Sequence, residues 1–301
     1  MNTGHHIKRG SSFYVFNVVA LTFTTIVALL CLLPFVIIIS GSFSANSSIL
    51  RDGYQLIPKE FSTEAYHTIF AYPDSIVRSY LVTIFVTAVG TAAGLFMVSS
   101  AGYVLSRKDF RYRNAVSFLI YFTTIFGTGL VPWYMMYVNV LHLKNSLFAL
   151  ILPSITSPFL IILMRTFINS AVPDAIIESA KIDGAGDFCI FARIVLPIIP
   201  SGLATIGLFL ALGYWNDWYL SSIFISSPNK YMLQFYLYNL VNSAESMKQL
   251  AANNPNMMIK NLPTESVKMA MAVITTGPVF LFYPFVQKYF VSGITIGAVK
   301  G

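Results

Sequence analysis

Apolar and polar residues segregate over whole stretches of this chain. Six apolar runs occupy 13–39, 78–106, 114–138, 146–168, 198–225 and 266–290, with short polar stretches between them. Each exceeds the ~20 residues a helix needs to cross hydrocarbon, which predicts an all-α integral membrane protein with six spans. Between the fourth and fifth runs, 178–200 is a polar island. Glu178, Lys181, Asp183, Asp187 and Arg193 concentrate charge there, and Asp183-Gly184 is a turn signal. The pattern predicts a helix over 174–181, opened by Pro173-Asp174, and a second over 187–196, ended by Pro197. Such a helix-turn-helix would project from the membrane, with Ala180, Ile182, Phe188, Phe191 and Ile194 available to fill a partner's groove. The plain alternative is an ordinary loop between spans.

The first run is too long for a signal-peptide core, and no small-residue cleavage site follows it. Segment 40–77 is mixed and polar, with a short helix predicted over 62–70. Gly90 and Gly94, four apart in the second span, share one face and favour close helix packing. Gly127, Gly129 and Pro132 fall in the third span, and Pro153 and Pro158 should kink or break the fourth. A broken helix at membrane depth must lie against protein or a water-filled cavity. A brief turn over 139–145 joins these two spans. Pro278 and Pro284 lie in the sixth. The stretch 226–265 reads as a long loop with a short interfacial helix over 231–240 and polar runs such as Asn253-Asn254-Pro255-Asn256.

Arg107, Lys108, Arg111 and Arg113 make the strongest positive cluster, so the loop after the second span is assigned to the cytoplasm. Six spans then put both termini and the island inside, and 226–265 outside. Lys230, Lys248 and Lys260 in that outer stretch conflict only mildly, because the rule concerns short loops and span ends. They outnumber Glu245 and Glu265, so the stretch has the charge to attract an acidic protein or an anionic sugar.

Composition sharpens this picture. Of 301 residues, 56% are hydrophobic and only 10% charged, with a mean hydropathy of +0.69, which excludes a soluble domain with a polar surface. The net charge of +7 is scattered over short loops and is not a nucleic-acid patch. Cys31 and Cys189 lie in different surroundings without metal-ligand neighbours, and His5-His6 alone would hold a metal poorly. No phosphate-cradling glycine motif, metalloprotease motif or nucleophile elbow is present, so enzyme readings lack support and no catalytic or metal-binding residue is assigned. One intramembrane constellation stands out, Tyr214-Trp215-Asn216-Asp217-Trp218-Tyr219. Its aromatic faces and polar tips, Trp215, Asn216 and Asp217 above all, suit a sugar. They equally suit an aromatic belt or packing, and Trp133 and Tyr134 carry the same two readings.

The island resembles the EAA loop of permease subunits in binding-protein-dependent ABC importers. Glu178, Ala180, Asp183, Gly184, Ala185, Phe191, Ile194, Leu196 and Pro197 stand where that pattern places them, while Ser179 stands where it usually has Ala. Further stretches over nearly the whole chain are similar to carbohydrate uptake permeases of the oligosaccharide and polysaccharide branch. They include Gly129-Leu130-Val131-Pro132, Leu150-Ile151-Leu152-Pro153, Leu262-Pro263-Thr264-Glu265 and Tyr283-Pro284-Phe285.

The resemblance implies a tail (1–12), a permease domain (13–291) with coupling loop 173–197 and external loop 226–265, and a second tail (292–301). It implies coupling to an ATPase through Glu178, Ala180, Asp183, Gly184, Ala185 and Phe191. A second homologous permease, two cytoplasmic ATPase subunits and an external sugar-binding protein would be partners in a bacterial cytoplasmic membrane, among its lipids. ATP and Mg would sit on the ATPase, with no cofactor on this chain. A permease for a non-sugar solute and a membrane-embedded enzyme are the alternatives.

Overall fold

The computed structural model describes residues 11–253 and 264–298. The expectations for His5-His6, most of the Asn253–Asn256 run, Lys260 and the last three residues lie outside these. The described residues are helical, with a single isolated bridge, Ser44 to Phe61, and no strand. The chain divides into two compact units, Met1–Ala71 with Ala244–Ile274, and Tyr72–Ser243 with Thr275–Gly301.

The first unit opens with α1 (Ser11–Ser42), whose apolar surface the rest of the chain leaves uncovered. Helix α2 (Asn46–Asp52), which the sequence did not predict, and α3 (Glu64–Ile69) follow. Tyr66 donates to Ser42 Oγ at 2.9 Å. The Asn46 side chain accepts from Glu265 N at 2.9 Å, and Lys268 pairs with Glu245 at 2.5 Å.

The second unit is built on α4 (Pro73–Ser106), which starts five residues before the expected span. Its buried residues Ile76, Ser79, Thr83, Val86, Gly90, Gly94, Val98, Gly102 and Leu105 fall three or four apart on one stripe. The expected third span is instead α5 (Arg113–Ile125) and α6 (Leu130–Met135), the latter continued by a π-turn over Met136–Val140, and the two halves bend by 115°. The fourth is α7 (Phe148–Ile151), a 3₁₀ turn, and α8 (Pro158–Ala171), bent by 55° where Pro153 and Pro158 remove backbone donors. The island follows as α9 (Asp174–Ile182), α10 (Asp187–Ile190), a π-turn over Phe191–Val195 and α11 (Leu196–Ile198).

Pro197 does not end that second helix as expected. Its ring would collide with the carbonyl four residues back in an α-helix, and the π-turn lies just there. The turn of direction comes at Ile199, with an 89° bend into α12 (Pro200–Trp215). The expected fifth span therefore ends at Trp215, and α13 (Tyr219–Phe224) is separate. The stretch 226–265 is not mainly loop: α14 (Leu233–Asn253) runs for 21 residues, longer than the short helix expected, before α15 (Thr264–Ala298). Among the described residues, α1 and α4 alone can cross a membrane unbroken, and each bent pair can supply one more crossing.

Helices α8 and α12 pack along the α4 stripe. Added Cβ atoms would come within 2.5 Å of Tyr214 Cζ at Gly90, 2.9 Å of the Ile155 carbonyl oxygen at Gly94, and 2.7 Å of Met164 Cγ at Gly102. Apolar contact gains little between helices in lipid, so close van der Waals packing must hold them. Gly90→Val is expected to destabilise the purified protein by about 1–3 kcal/mol through overpacking. A thermal midpoint should fall, and Tyr214→Ala, which vacates the space, should recover part of the loss in the double variant. An unchanged midpoint for Gly90→Val would refute the contact.

Candidate functional site

The island forms a hairpin whose turn has a defined cap. Gly184 adopts φ +82°, its N–H donates to Lys181 O at 3.0 Å, and Ala185 N–H donates to Ala180 O at 2.9 Å. That pair of bonds is a Schellman cap closing α9, with Gly184 as its left-handed residue. A Cβ at Gly184 would meet nothing within 4 Å, so the requirement for glycine is conformational rather than steric.

The hairpin has an inner and an outer face. Ile177, Ala180, Ile190 and Phe191 are buried among Tyr103, Met164, Ile168 and Val195, and Ile194 and Ala185 pack partly against them. Tyr103 and Phe191 stack obliquely at 5.4 Å. The expectation that Ala180, Phe191 and Ile194 are free to fill a partner's groove is therefore corrected: Ala180 and Phe191 are buried in the chain's own core and Ile194 packs against it. Two of the five expected side chains remain uncovered, Ile182 at 86% exposure and Phe188 at 72%. Glu178 and Asp183 are exposed beside them, with no ion-pair partner among the described residues.

An ion network ties the hairpin to the end of α4. Arg107 forks onto Asp109, with its Nε and Nη2 donating at 3.0 and 2.9 Å. Lys181 of α9 also donates to Asp109, and lies 3.7 Å from Asp187. Lys108 pairs with Asp174 at 2.5 Å. Arg107 and then Lys181 hold the Asp109 carboxyl far below its ordinary value of 3.8. Stability from this group is present above the ordinary carboxylate range and is lost only in strong acid, so the network stays charged at physiological pH. Arg107, Lys108, Asp109, Asp174 and Lys181, with Asn169, Ile177 and Glu178, line a cleft. From sequence, Arg107 and Lys108 counted as orientation signals and, with Asp109, as part of a family-like loop, but Asp109 was given no role. An acid set inside a basic cluster was the available signal.

The aromatic constellation has structural partners. Tyr214 is buried and donates to Ile151 O at 2.8 Å, and the Trp215 indole N–H donates to Thr275 O at 3.0 Å. Asp217 accepts from Leu220 N–H at 3.0 Å and so caps α13. Asn216 is exposed and donates to Leu212 O at 3.0 Å. Trp133 and Tyr134, half-buried, lean on Phe224 at 5.2 and 5.6 Å. The structure thus separates the candidate residues: the hairpin set clusters on α9–α10, Trp133 and Tyr134 meet at Phe224, and Trp215 and Asp217 stand at the join of α12 and α13.

Lys230 is likewise committed. Its ammonium donates to Asn145 O at 2.6 Å, while the Asn145 side chain accepts from Ser226 and Ser227 N–H at 3.3 and 3.2 Å. Glu245 is paired with Lys268.

No family model matches the chain. Whole-chain relatives do. The polygalacturonan/rhamnogalacturonan transport system permease protein YtcP of Bacillus subtilis (strain 168) is 37% identical over 291 residues, covering 95% of this chain and 99% of the relative. Protein LplC of the same organism is 36% identical over 302 residues, 100% of this chain and 99% of the relative. The arabinooligosaccharides transport system permease protein AraQ, also from Bacillus subtilis (strain 168), is 27% identical over 98% of this chain and 100% of its own length. The fold matches the crystal structure of a bacterial ABC transporter involved in the import of the acidic polysaccharide alginate, with a TM-score of 0.76 and 29% identity over 94% of this chain and 99% of that one. With identity of this level along its full length, the chain belongs to the permease subunits of ABC sugar importers.

Proposed function

We propose that this chain forms half of a membrane path that imports uronate-containing oligosaccharides, driven by ATP hydrolysis on separate subunits. Kinship over the whole chain with a polygalacturonan/rhamnogalacturonan permease carries the substrate reading, and the likeness to an alginate importer supports it. Under this reading the chain has six spans, three of them bent, and both termini are cytoplasmic. The second permease, two ATPases holding ATP and Mg, and an external binding protein complete the machine. Proteoliposomes holding all of these test the substrate class. Binding protein loaded with oligogalacturonate is expected to stimulate ATP hydrolysis and drive uptake. Stimulation by arabinooligosaccharide alone would overturn it.

In this reading the hairpin tip seats in the ATPase. Uncovered Ile182 and Phe188 between free carboxylates support that role, because apolar side chains exposed together mark a docking surface. The buried face and the Asp109 network would then carry tip motion into α4 as a rigid body. Replacing Gly184 separates these functions. Gly184→Ile must adopt a left-handed backbone at a cost of roughly 1–2 kcal/mol, and is expected to uncouple hydrolysis from uptake, whereas Gly184→Asn, which tolerates that conformation, should retain most coupling. Equal uptake per ATP for Gly184→Ile and wild type would sink the claim.

Asp109→Asn removes the charge shared by Arg107 and Lys181 while keeping the side chain's size. The variant is expected to assemble and bind the ATPase, yet to hydrolyse severalfold more ATP per sugar imported. An unaltered ratio would show that the network only shapes the loop.

A further inference from the structure

The break between α5 and α6 exposes backbone that no described residue satisfies. Phe126 is extended, at φ −107° and ψ 93°, and Gly129 lies at φ +78° and ψ 166°. Among the described residues, the N–H groups of Gly127, Thr128 and Gly129 and the Thr128 hydroxyl have no hydrogen-bond partner. A Cβ on Gly127 or Gly129 would meet no atom within 4 Å, so the segment borders open space. Residues 121–132 are all exposed. Phe118, Phe122 and Phe126 form a ladder along α5 leading to the break, with rings 6.1 Å and then 4.3 Å apart.

Lipid cannot surround this segment. Unpaired amides in hydrocarbon are too costly, and irregular backbone within a span survives only against protein or a watery cavity. A protein neighbour would have to bring several polar partners to one narrow place. A hydrated saccharide brings many oxygens and exchanges them with water as it moves. Its C–H faces also suit a row of flat aromatic rings, and amide donors suit its hydroxyl and carboxylate oxygens. We propose that residues 126–129, with the Phe122–Phe126 pair, form a saccharide-contacting site in the import path, an inference that rests on the sugar-permease reading above.

The test uses the complete transporter in vesicles, with Cys31 and Cys189 of this chain replaced by alanine. Thr128→Cys is expected to react with a membrane-impermeant, hydrophilic thiol reagent, and tri-galacturonate delivered by the binding protein should slow that reaction. Absence of labelling in every nucleotide state would overturn the site and place the segment against the partner permease instead. Gly127→Leu provides a second arm, since the added side chain enters open space and its φ lies outside the left-handed range. Binding-protein-stimulated ATP hydrolysis should persist while tri-galacturonate uptake falls by roughly tenfold or more. Normal uptake would overturn the proposal. Labelling without sugar tests whether the segment borders water even if wild-type transporter imports no tri-galacturonate. That outcome would count against the uronate reading alone.

Discussion

The close approach of α4 to α8 and α12 governs the larger unit, and it is possible because three positions on α4 lack a side chain. Lipid tails are as apolar as leucine, so helices in a bilayer gain little from hiding apolar surface and must fit closely. Gly90 receives the Tyr214 ring, Gly94 lies under the Ile155 carbonyl and Leu210, and Gly102 lies against Met164. The same fit satisfies backbone elsewhere. Ile155 N–H turns to Leu152 O in the 3₁₀ turn beside Pro153, which leaves the Ile151 carbonyl without its α-helical donor. The Tyr214 hydroxyl, delivered by contact with Gly90, supplies it.

Around this packed stripe the neighbouring segments change direction, each for an identifiable reason. Pro153 and Pro158 interrupt the donor ladder between α7 and α8. Pro197 is accommodated by a π-turn, and the sharp bend follows at Ile199, where Pro200 opens the next helix. At 126–129 no proline stands in the break itself, and glycine permits the turn there.

The hairpin on α9 and α10 joins a rigid base to an uncovered tip. Buried Ile177, Ala180 and Phe191 seat it, and the shared carboxylate of Asp109 ties it to the end of α4. Exposed ion pairs contribute little singly. Here several charges converge on one short loop, so their value lies in fixing the angle between α9 and α4 rather than in stability.

The apolar runs alone determined that this chain is a helical membrane protein, because only helices or closed barrels satisfy backbone in lipid and these runs have helical length. The glycine spacing on α4, the Asp183-Gly184 turn and the proline breaks of the fourth span were equally legible, since each depends on local backbone chemistry. The inward or outward sense of the island's apolar residues was not. Ala180 and Ile182 are two apart on one helix, yet one is buried and the other bare, and the helix period cannot say which face finds a neighbour. The role of Asp109 was hidden for the same reason: its partner Lys181 is 72 residues away, and only the packing of α9 against the end of α4 brings them together. The 21-residue α14 within an expected loop was legible but unread, for Leu233, Leu237, Leu240, Ala244 and Met247 recur three or four apart along it. Its start is held by tertiary contact, with Leu233 N–H donating to Thr83 Oγ1 of α4 at 2.8 Å.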